Sequence, residues 1–206
     1  MHVKVGANVT GAKMRDFGVH RGLLCQRSKF FDSALNGSFV ESSCGIVELP
    51  LIDPDVFEIV NCWLYTNKLT EAEKGKDVEC SLLYTVEVYI FGQEYGMPML
   101  CNNAIDRLIR HFNEQGNLMT PFLPVVYQRT PANSPLRKLV IACYIRWDGD
   151  LTALLNEHSD TILQCPEFLM DLSKVLASRR VKPLPSNVIL NMCQYHQHAE
   201  GEKKCS

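Results

Sequence analysis

The hydrophobic positions at the start of the chain alternate with polar ones, as they do in half-buried strands. Val3 and Val5 lie on either side of Lys4, and a second alternating stretch ends at residues 17–19. Because successive side chains of a strand point to opposite faces, this spacing predicts a hairpin of two strands. A third strand is predicted over residues 46–49.

Helical spacing begins after the second strand. Leu23 and Leu24 break the alternation, and Ser28 follows as the N-cap residue of a short helix. The apolar residues of that helix recur at helical spacing: Phe30, Phe31, Ala34 and Leu35. Asn36-Gly37 then ends the helix, because both residue types tolerate positive φ.

Three longer helices are predicted further along the first half of the chain. Asp53 and Pro54 are a capping residue and a first-turn residue for a helix that ends near Asn67. Apolar residues at helical spacing then predict two more helices, over 78–95 and 98–116. A short connection between two such helices makes them pack antiparallel.

Charged residues dominate the interval 70–79. This interval is longer than the connections that are common in compact domains. We expect a solvated loop on the surface.

The sequence becomes richer in proline beyond residue 116. Prolines are frequent over 117–134, which we expect to be a linker, and a helical pattern begins at Ser134-Pro135. Another helical pattern runs over 166–177. The expected division is a first domain at 1–116, a linker at 117–134, a helical extension at 135–198 and a disordered tail at 199–206.

Composition narrows the class of protein. The 206 residues are 46% hydrophobic and 21% charged, which suffices for one core and a smaller second one. The net charge of −2 offers no basic field for a nucleic-acid backbone. The apolar stretches fall short of the roughly 18 residues that span a bilayer, and the N-terminus lacks a signal-peptide core. We expect a soluble protein of the cytoplasm or nucleus that binds neither nucleic acid nor membrane.

The nine cysteines are odd in number and scattered, without a C-x-x-C pair. Cys25, Cys62 and Cys143 stand beside apolar residues, where a small buried residue is expected. We therefore expect reduced thiols that serve the core.

His20 and Cys25 are the strongest candidates for a catalytic pair, because a thiolate and an imidazole five residues apart can meet across one helical turn. No orienting third group or oxyanion pattern accompanies them, and Ser28 lacks a G-x-S-x-G elbow. Glycine-rich nucleotide-binding motifs are also missing. We expect no enzyme, no catalytic residues and no cofactor.

Four possible metal ligands fall near the C-terminus: Cys193, His196, His198 and Cys205. Their spacing is not that of a zinc finger, and the segment is polar and terminal. We expect no metal site. A metal-binding protein or thiol enzyme that uses this cluster is the alternative from a different functional class.

The order of the motifs resembles the BTB/POZ domain, in the style of filamentous-fungal members. The resemblance covers about residues 3–112. It is carried by HRGLL at 20–24, RSKFF at 27–31, VEL at 47–49, DPDVF at 53–57 and WLYT at 63–66. It implies an α+β fold, a small sheet flanked by helices, followed by an all-helical extension. Fungal members carry a similar extension with the motifs seen here as VYQRT at 126–130 and SPLR at 134–137.

Dimerising BTB domains pair through the first strand and the early helices, so the resemblance implies a homodimer. The candidate contact residues are Val3, Val5, Arg21, Leu23, Leu24, Phe30 and Phe31. Spacing leaves open whether each one faces the core or a partner. The family's Ser-Asp pair before the first strand is missing, because the chain starts at Met1-His2-Val3. Either the chain is truncated or it uses other contacts, and a weak dimer or a monomer stays open.

The triplet Phe39-Val40-Glu41 is similar to the apolar-x-Glu element that BTB adaptors insert against the cullin scaffold of ubiquitin ligases. An apolar anchor beside a carboxylate suits a groove, so Phe39 and Glu41 are candidate cullin contacts. The same triplet is also typical of an ordinary exposed loop. We expect a non-enzymatic protein–protein interaction module that self-associates and docks as an adaptor. The alternative is a scaffolding or transcription-associated BTB protein that does not bind a cullin.

Overall fold

The computed structural model describes residues 1–37, 44–73, 76–147, 149–179 and 192–198. The chain divides into two compact units, Met1–Ala104 and Ile105–Ser206. The domain limits expected from the sequence stay a prediction, because compact units need not fold independently.

A three-stranded sheet opens the first unit. Strand β1 (His2–Val5) lies in the centre, antiparallel to β2 (Arg15–Gly18) and parallel to β3 (Ile46–Leu49). Val3 pairs in register with one residue of each neighbour, Phe17 and Val47. The three predicted strands are therefore confirmed.

Two short helices follow the sheet, α1 (Arg21–Arg27) and α2 (Lys29–Asn36). The predicted cap at Ser28 is confirmed, since its hydroxyl accepts a hydrogen bond from the Phe31 amide at 3.1 Å. The same hydroxyl donates to the Tyr95 carbonyl at 2.5 Å. Gly37 ends α2 in extended backbone with φ −84°, so the expected positive φ is not used there.

Helix α3 (Pro54–Thr66) carries much of the first core. Asp53 caps it by accepting a hydrogen bond from the Asp55 amide at 2.8 Å, and Asn67 ends it in the left-handed region with φ 55°. Its large buried residues are Val56, Phe57, Ile59, Val60, Trp63 and Leu64. The predicted start and end of this helix are confirmed.

Residues 70–73 and 76–79 of the charged interval form strands rather than the expected loop. Strands β4 (Thr70–Glu73) and β5 (Lys76–Glu79) pair antiparallel, and the Cys80 amide donates to the Leu69 carbonyl at 3.3 Å. The expectation was wrong because strands are predicted from alternating hydrophobic residues. Backbone hydrogen bonds hold a charged hairpin together, so its sequence need not show that alternation.

Helices α4 (Leu82–Glu94) and α5 (Pro98–Gln115) form the predicted helical pair, but α4 begins later than the predicted residue 78, because residues 78 and 79 belong to strand β5. Ser81 caps α4 through the Tyr84 amide, and Gly96 turns the chain between the helices with φ +62°. Gly92 packs so closely against α5 that a Cβ there would lie 2.8 Å from the Cys101 Sγ atom.

The second unit is helical wherever the structure describes its regular elements. A 3-10 turn (Thr120–Phe122) precedes α6 (Leu123–Arg129) and α7 (Pro135–Arg146). Next come α8 (Leu151–Glu157), α9 (Ser159–Leu163) and α10 (Pro166–Arg179), and a 3-10 turn occupies Met192–Tyr195. Phe168, which is fully buried, packs edge-on against the rings of Tyr127 and Tyr144.

The stretch 117–134, expected as a linker, thus contains a helix whose Leu123, Val126 and Tyr127 are buried. Pro121 and Pro124 stand in the first turns of helical segments, where the missing amide hydrogen of proline has no helical acceptor to lose. They mark helix starts here and not extended chain.

The chain therefore has the predicted α+β fold followed by a helical region. Within the part of the chain that the structure describes, no helix combines the length and the apolar character needed to cross a membrane.

Candidate interaction surfaces

Four of the seven candidate dimer residues are core residues of the first unit. Val3, Val5, Leu24 and Phe31 are fully buried within the single chain. Val3 and Val5 lie on the buried face of the central strand β1, whereas His2 of the same strand is exposed. Spacing left open whether these four side chains face the core or a partner. In the structure they face the core.

Phe30 is the large apolar residue of the candidate set that stays accessible. Its side chain is 47% exposed, and its ring packs edge-on against Phe31 at 5.2 Å and Tyr95 at 5.1 Å between centroids. Leu23 on α1 is half-buried. An aromatic side chain held on one face and open on the other is the kind of anchor that interfaces favour.

Arg21, the candidate for a charged dimer pocket, has partners within its own chain. Its guanidinium donates to the Leu35 carbonyl and to the Asn36 Oδ1 atom, the latter at 2.8 Å. Both acceptors lie at the C-terminal end of α2, where carbonyls lack helical partners and the helix dipole favours a cation. Arg21, the first residue of α1, therefore links that helix to the C-terminal end of α2.

Met99 is an accessible residue of the same region that the sequence reading missed. It is 53% exposed, and its sulfur lies 3.0 Å from an Arg27 nitrogen. Gly96, one turn earlier, accepts the Lys29 amide at 3.4 Å, which brings the start of α5 close to the start of α2. Helical spacing in the sequence could have indicated this exposure. Met99 falls outside the buried stripe of α5 that includes Leu100, Ala104 and Leu108.

Phe39 and Glu41, the candidate cullin contacts, lie outside the described residues. The structure describes the flanking positions, with α2 ending at Asn36 and strand β3 beginning at Ile46.

His20 and Cys25 do not form a pair with each other in this structure. His20 Nδ1 lies 2.9 Å from the Tyr65 hydroxyl, which also accepts the His20 amide at 3.1 Å. The Cys25 thiol instead approaches the Phe31 carbonyl at 3.9 Å. His20 thus joins the turn before α1 to the end of α3, which links the HRGLL and WLYT motifs.

None of the eight cysteines among the described residues forms a disulfide, and several belong to the core. Cys80, Cys101, Cys143 and Cys165 are buried, whereas Cys25 and Cys62 are only partly so. Burial raises the pKa of the Cys101 thiol and of the Cys143 thiol to about 12 each. Both are protonated near neutral pH, and a protonated thiol is a poor nucleophile.

The described C-terminal metal candidates fall in two hydrogen-bonded pairs, and the two histidine rings lie 6.0 Å apart between centroids. The Cys193 Sγ atom lies 3.4 Å from His198 Nε2, and His196 Nε2 lies 2.7 Å from the Asp106 carboxylate. Cys205 lies outside the described residues. Among the residues that the structure describes, no three His, Cys, Asp or Glu side chains are arranged to hold a metal ion.

The motifs VYQRT and SPLR meet around one buried arginine. Arg137 is 5% exposed; its Nε donates to Thr130 Oγ1 at 3.1 Å, and one of its terminal nitrogens donates to the Tyr127 and Thr130 carbonyls at 2.5 Å each. The other terminal nitrogen lies 2.5 Å from the Glu167 carboxylate. The guanidinium also lies 4.5 Å from the centre of the Tyr127 ring. We name this set the Arg137 clamp: Tyr127, Thr130, Arg137 and Glu167.

The clamp explains why those motifs occur together. Thr130 donates to the Val126 carbonyl at 2.6 Å while it accepts from Arg137, and Ser134 caps α7 through the Leu136 amide at 3.3 Å. Each side chain therefore has a bonding role within the second unit.

Comparison with known proteins decides the family of the first part of the chain. Residues 8–109 match the sequence model of the BTB/POZ domain. This segment is a BTB/POZ domain. The recognition made from the motifs of the first half is confirmed, whereas the fungal style of the BTB/POZ chain stays a prediction.

Curated relatives of this BTB/POZ chain carry the name "Inhibitor of Bruton tyrosine kinase". The protein of Homo sapiens is 32% identical over 76 residues, that of Xenopus laevis 32% over 72, and that of Mus musculus 30% over 76. The alignments cover 35%, 34% and 35% of this chain. The chain covers only 6%, 5% and 6% of the length of those relatives.

BTB/POZ domains are protein–protein interaction modules, and this chain contains one. The exposed residues Phe30 and Met99 of the BTB/POZ domain are therefore candidates for partner contacts.

Proposed function

We propose that this chain is a non-enzymatic interaction module that self-associates through accessible apolar residues of α1, α2 and the start of α5. The observation that carries the proposal is Phe30, an aromatic residue that is 47% exposed within a BTB/POZ domain. Burying such a side chain against a partner stabilises a complex by about 1.5–3 kcal/mol, which makes it a suitable anchor.

The expected association is weak. Arg21 is bonded to the end of α2, and four of the candidate contacts are buried in the monomer, so fewer groups remain for a partner. An interface needs about 1,200 Å² or more of buried surface to be specific and stable. The other accessible apolar side chains proposed for this contact are Leu23 of α1 and Met99 of α5.

Light scattering over a concentration series tests self-association. We expect the mass to rise from 23.3 kDa toward twice that value as concentration increases. Phe30→Glu should weaken the dimer by about tenfold or more, because it places a charge in an apolar contact. Leu51→Glu is the matched control, since Leu51 is 76% exposed and lies outside α1 and α2. A constant mass of 23.3 kDa at every concentration would remove this part of the proposal.

The adaptor role is the second part of the proposal, and it rests on the likeness of Phe39-Val40-Glu41 to a cullin-binding element. A pull-down with the N-terminal domain of a cullin tests it. Binding should fall by about tenfold or more for Phe39→Ala, as expected of an interface anchor, and by less for Glu41→Ala. Undiminished binding of both variants would show that this triplet is not the contact.

A scaffolding or transcription-associated protein without cullin binding is the alternative. Self-association that depends on Phe30, together with no cullin binding by the unmodified chain, would favour it.

A further inference from the structure

A trough runs along the surface of the second unit between α7 and α10. Its volume is about 310 Å³, the lower end of the range of ligand pockets. We name it the α7–α10 trough and define it by its lining residues: Ala132, Arg137, Lys138, Ile141, Ala142, Ile145, Asp171, Lys174 and Val175. All of these belong to the same compact unit.

The lining of the trough follows α7 and includes apolar residues from both helices. Lining residues on α7 extend from Arg137 to Ile145, which is about 12 Å of helix at 1.5 Å per residue. Ile141, Ala142 and Ile145 supply apolar surface on this side, and Val175 supplies it on α10. This length suits a short segment of another polypeptide better than it suits a compact small molecule.

The charges at the trough favour an acidic occupant. Arg137 is neutralised by Glu167 at 2.5 Å, and Lys174 lies 3.4 Å from the Asp171 carboxylate. Lys138 is exposed and forms no ion pair with a residue that the structure describes. One positive charge beside an apolar floor is therefore left for a partner to neutralise.

We propose that the α7–α10 trough binds a short amphipathic segment of another protein, with apolar side chains on the floor and a carboxylate at Lys138. This is the helix-in-groove mode of recognition, in which apolar anchors supply affinity and rim charges supply orientation. The inference concerns the second unit and does not depend on self-association of the BTB/POZ domain.

Selection of peptides tests the proposal. A displayed library of random peptides of about 12 residues, enough for about three helical turns, is panned against the full chain. Enriched peptides should combine apolar residues at helical spacing with Asp or Glu. Their synthetic, fluorescent forms are then titrated against the unmodified chain and against variants.

Two variants and one control separate the outcomes. Ala142→Arg fills the floor and should weaken binding by about tenfold or more, and Lys138→Glu should weaken it by several-fold through like charge. Lys13→Glu is the control for charge reversal, because Lys13 is exposed in the first unit and should leave binding unchanged. Thermal melts check that each variant folds, and Lys138→Glu changes only an exposed side chain.

The proposal fails if no peptide is enriched, if enriched peptides are basic, or if they bind the Ala142→Arg variant as tightly as the parent. It also fails if Ala142→Arg lowers the mass of a self-associated chain in light scattering, since the trough would then hold a second copy.

Discussion

Neighbouring residues with the same side chain have opposite environments in the RSKFF motif. Phe31 is fully buried and stacks on Tyr95, whereas Phe30 is 47% exposed. A helix turns by about 100° per residue, so adjacent positions cannot both face the core when only one side of the helix is covered. The side of α2 that packs on the core therefore determines which phenylalanine stays accessible to a partner.

Gly92 shows how one missing side chain permits close helix packing. A Cβ at this position would lie 2.8 Å from the Cys101 Sγ atom and 3.3 Å from the Met97 carbonyl oxygen. Gly92→Ala should therefore lower the free energy of unfolding by about 1–3 kcal/mol, as overpacking does, measured by urea denaturation.

Gly22→Ala is the matched control for this substitution. Gly22 also lies in a helix, but an added Cβ there would meet nothing within 4 Å. Alanine should leave stability unchanged or raise it by up to about 1 kcal/mol through better helix propensity. Equal effects of the two substitutions would contradict close packing at Gly92.

At the scale of elements, hydrogen bonds from polar side chains connect the ends of different helices. Ser28 caps α2 and donates to the Tyr95 carbonyl at the end of α4. Arg137 on α7 does the same for the end of α6 and reaches Glu167 on α10. Such bonds fix the positions of helix ends whose carbonyls have no helical partner.

The Arg137 clamp should be necessary for the stability of the second unit. Arg137→Ala leaves the buried carbonyls of Tyr127 and Thr130 without a donor, which should cost about 2–4 kcal/mol. Arg137→Lys should recover only part of this loss, because an ammonium group cannot reproduce the planar fork of a guanidinium.

Thermal unfolding followed by circular dichroism measures the loss at Arg137. Lys138→Ala is the control, since it removes an exposed cation from the neighbouring position of the same helix. If Arg137→Ala and Lys138→Ala melted alike, the clamp would have no stabilising role.

On the scale of the whole molecule, both compact units bury ionisable groups in their neutral form. Burial raises the pKa of Cys101 in the first unit, and of Cys143 and Tyr144 in the second, to about 12 in each case. Their ordinary pKa values are 9.0 for the thiols and 10.0 for the phenol. The folded chain therefore holds protons that the unfolded chain releases at moderately alkaline pH.

Stability should consequently fall as pH rises above about 9. A group with a raised pKa stabilises the fold fully below its unfolded pKa, and this stability is lost as pH approaches the folded value. Melting temperatures measured from about pH 8 to about pH 11 should fall steadily. Cys143→Ala should make the decline shallower, whereas Cys44→Ala should not, because Cys44 is exposed. An identical slope for Cys143→Ala and the parent chain would contradict this explanation.

Local signals in the sequence determined much of the secondary structure and the family. Ser28, Asp53 and Ser134 were predicted as helix starts, and all three hydroxyl or carboxylate oxygens accept the expected amide. These signals are readable because a cap and its amides lie within three residues of each other. The order of the motifs also identified the BTB/POZ domain.

Only the tertiary structure decided which of these residues face solvent and which distant residues meet. It paired β4 with β5, placed Val3 and Val5 in the core, and brought Arg137 to Glu167, which lies 30 residues further along the chain. Burial and pairing depend on elements far away in sequence, so a pattern within one element cannot reveal them. The accessible face of Phe30 and the α7–α10 trough are consequences of this packing.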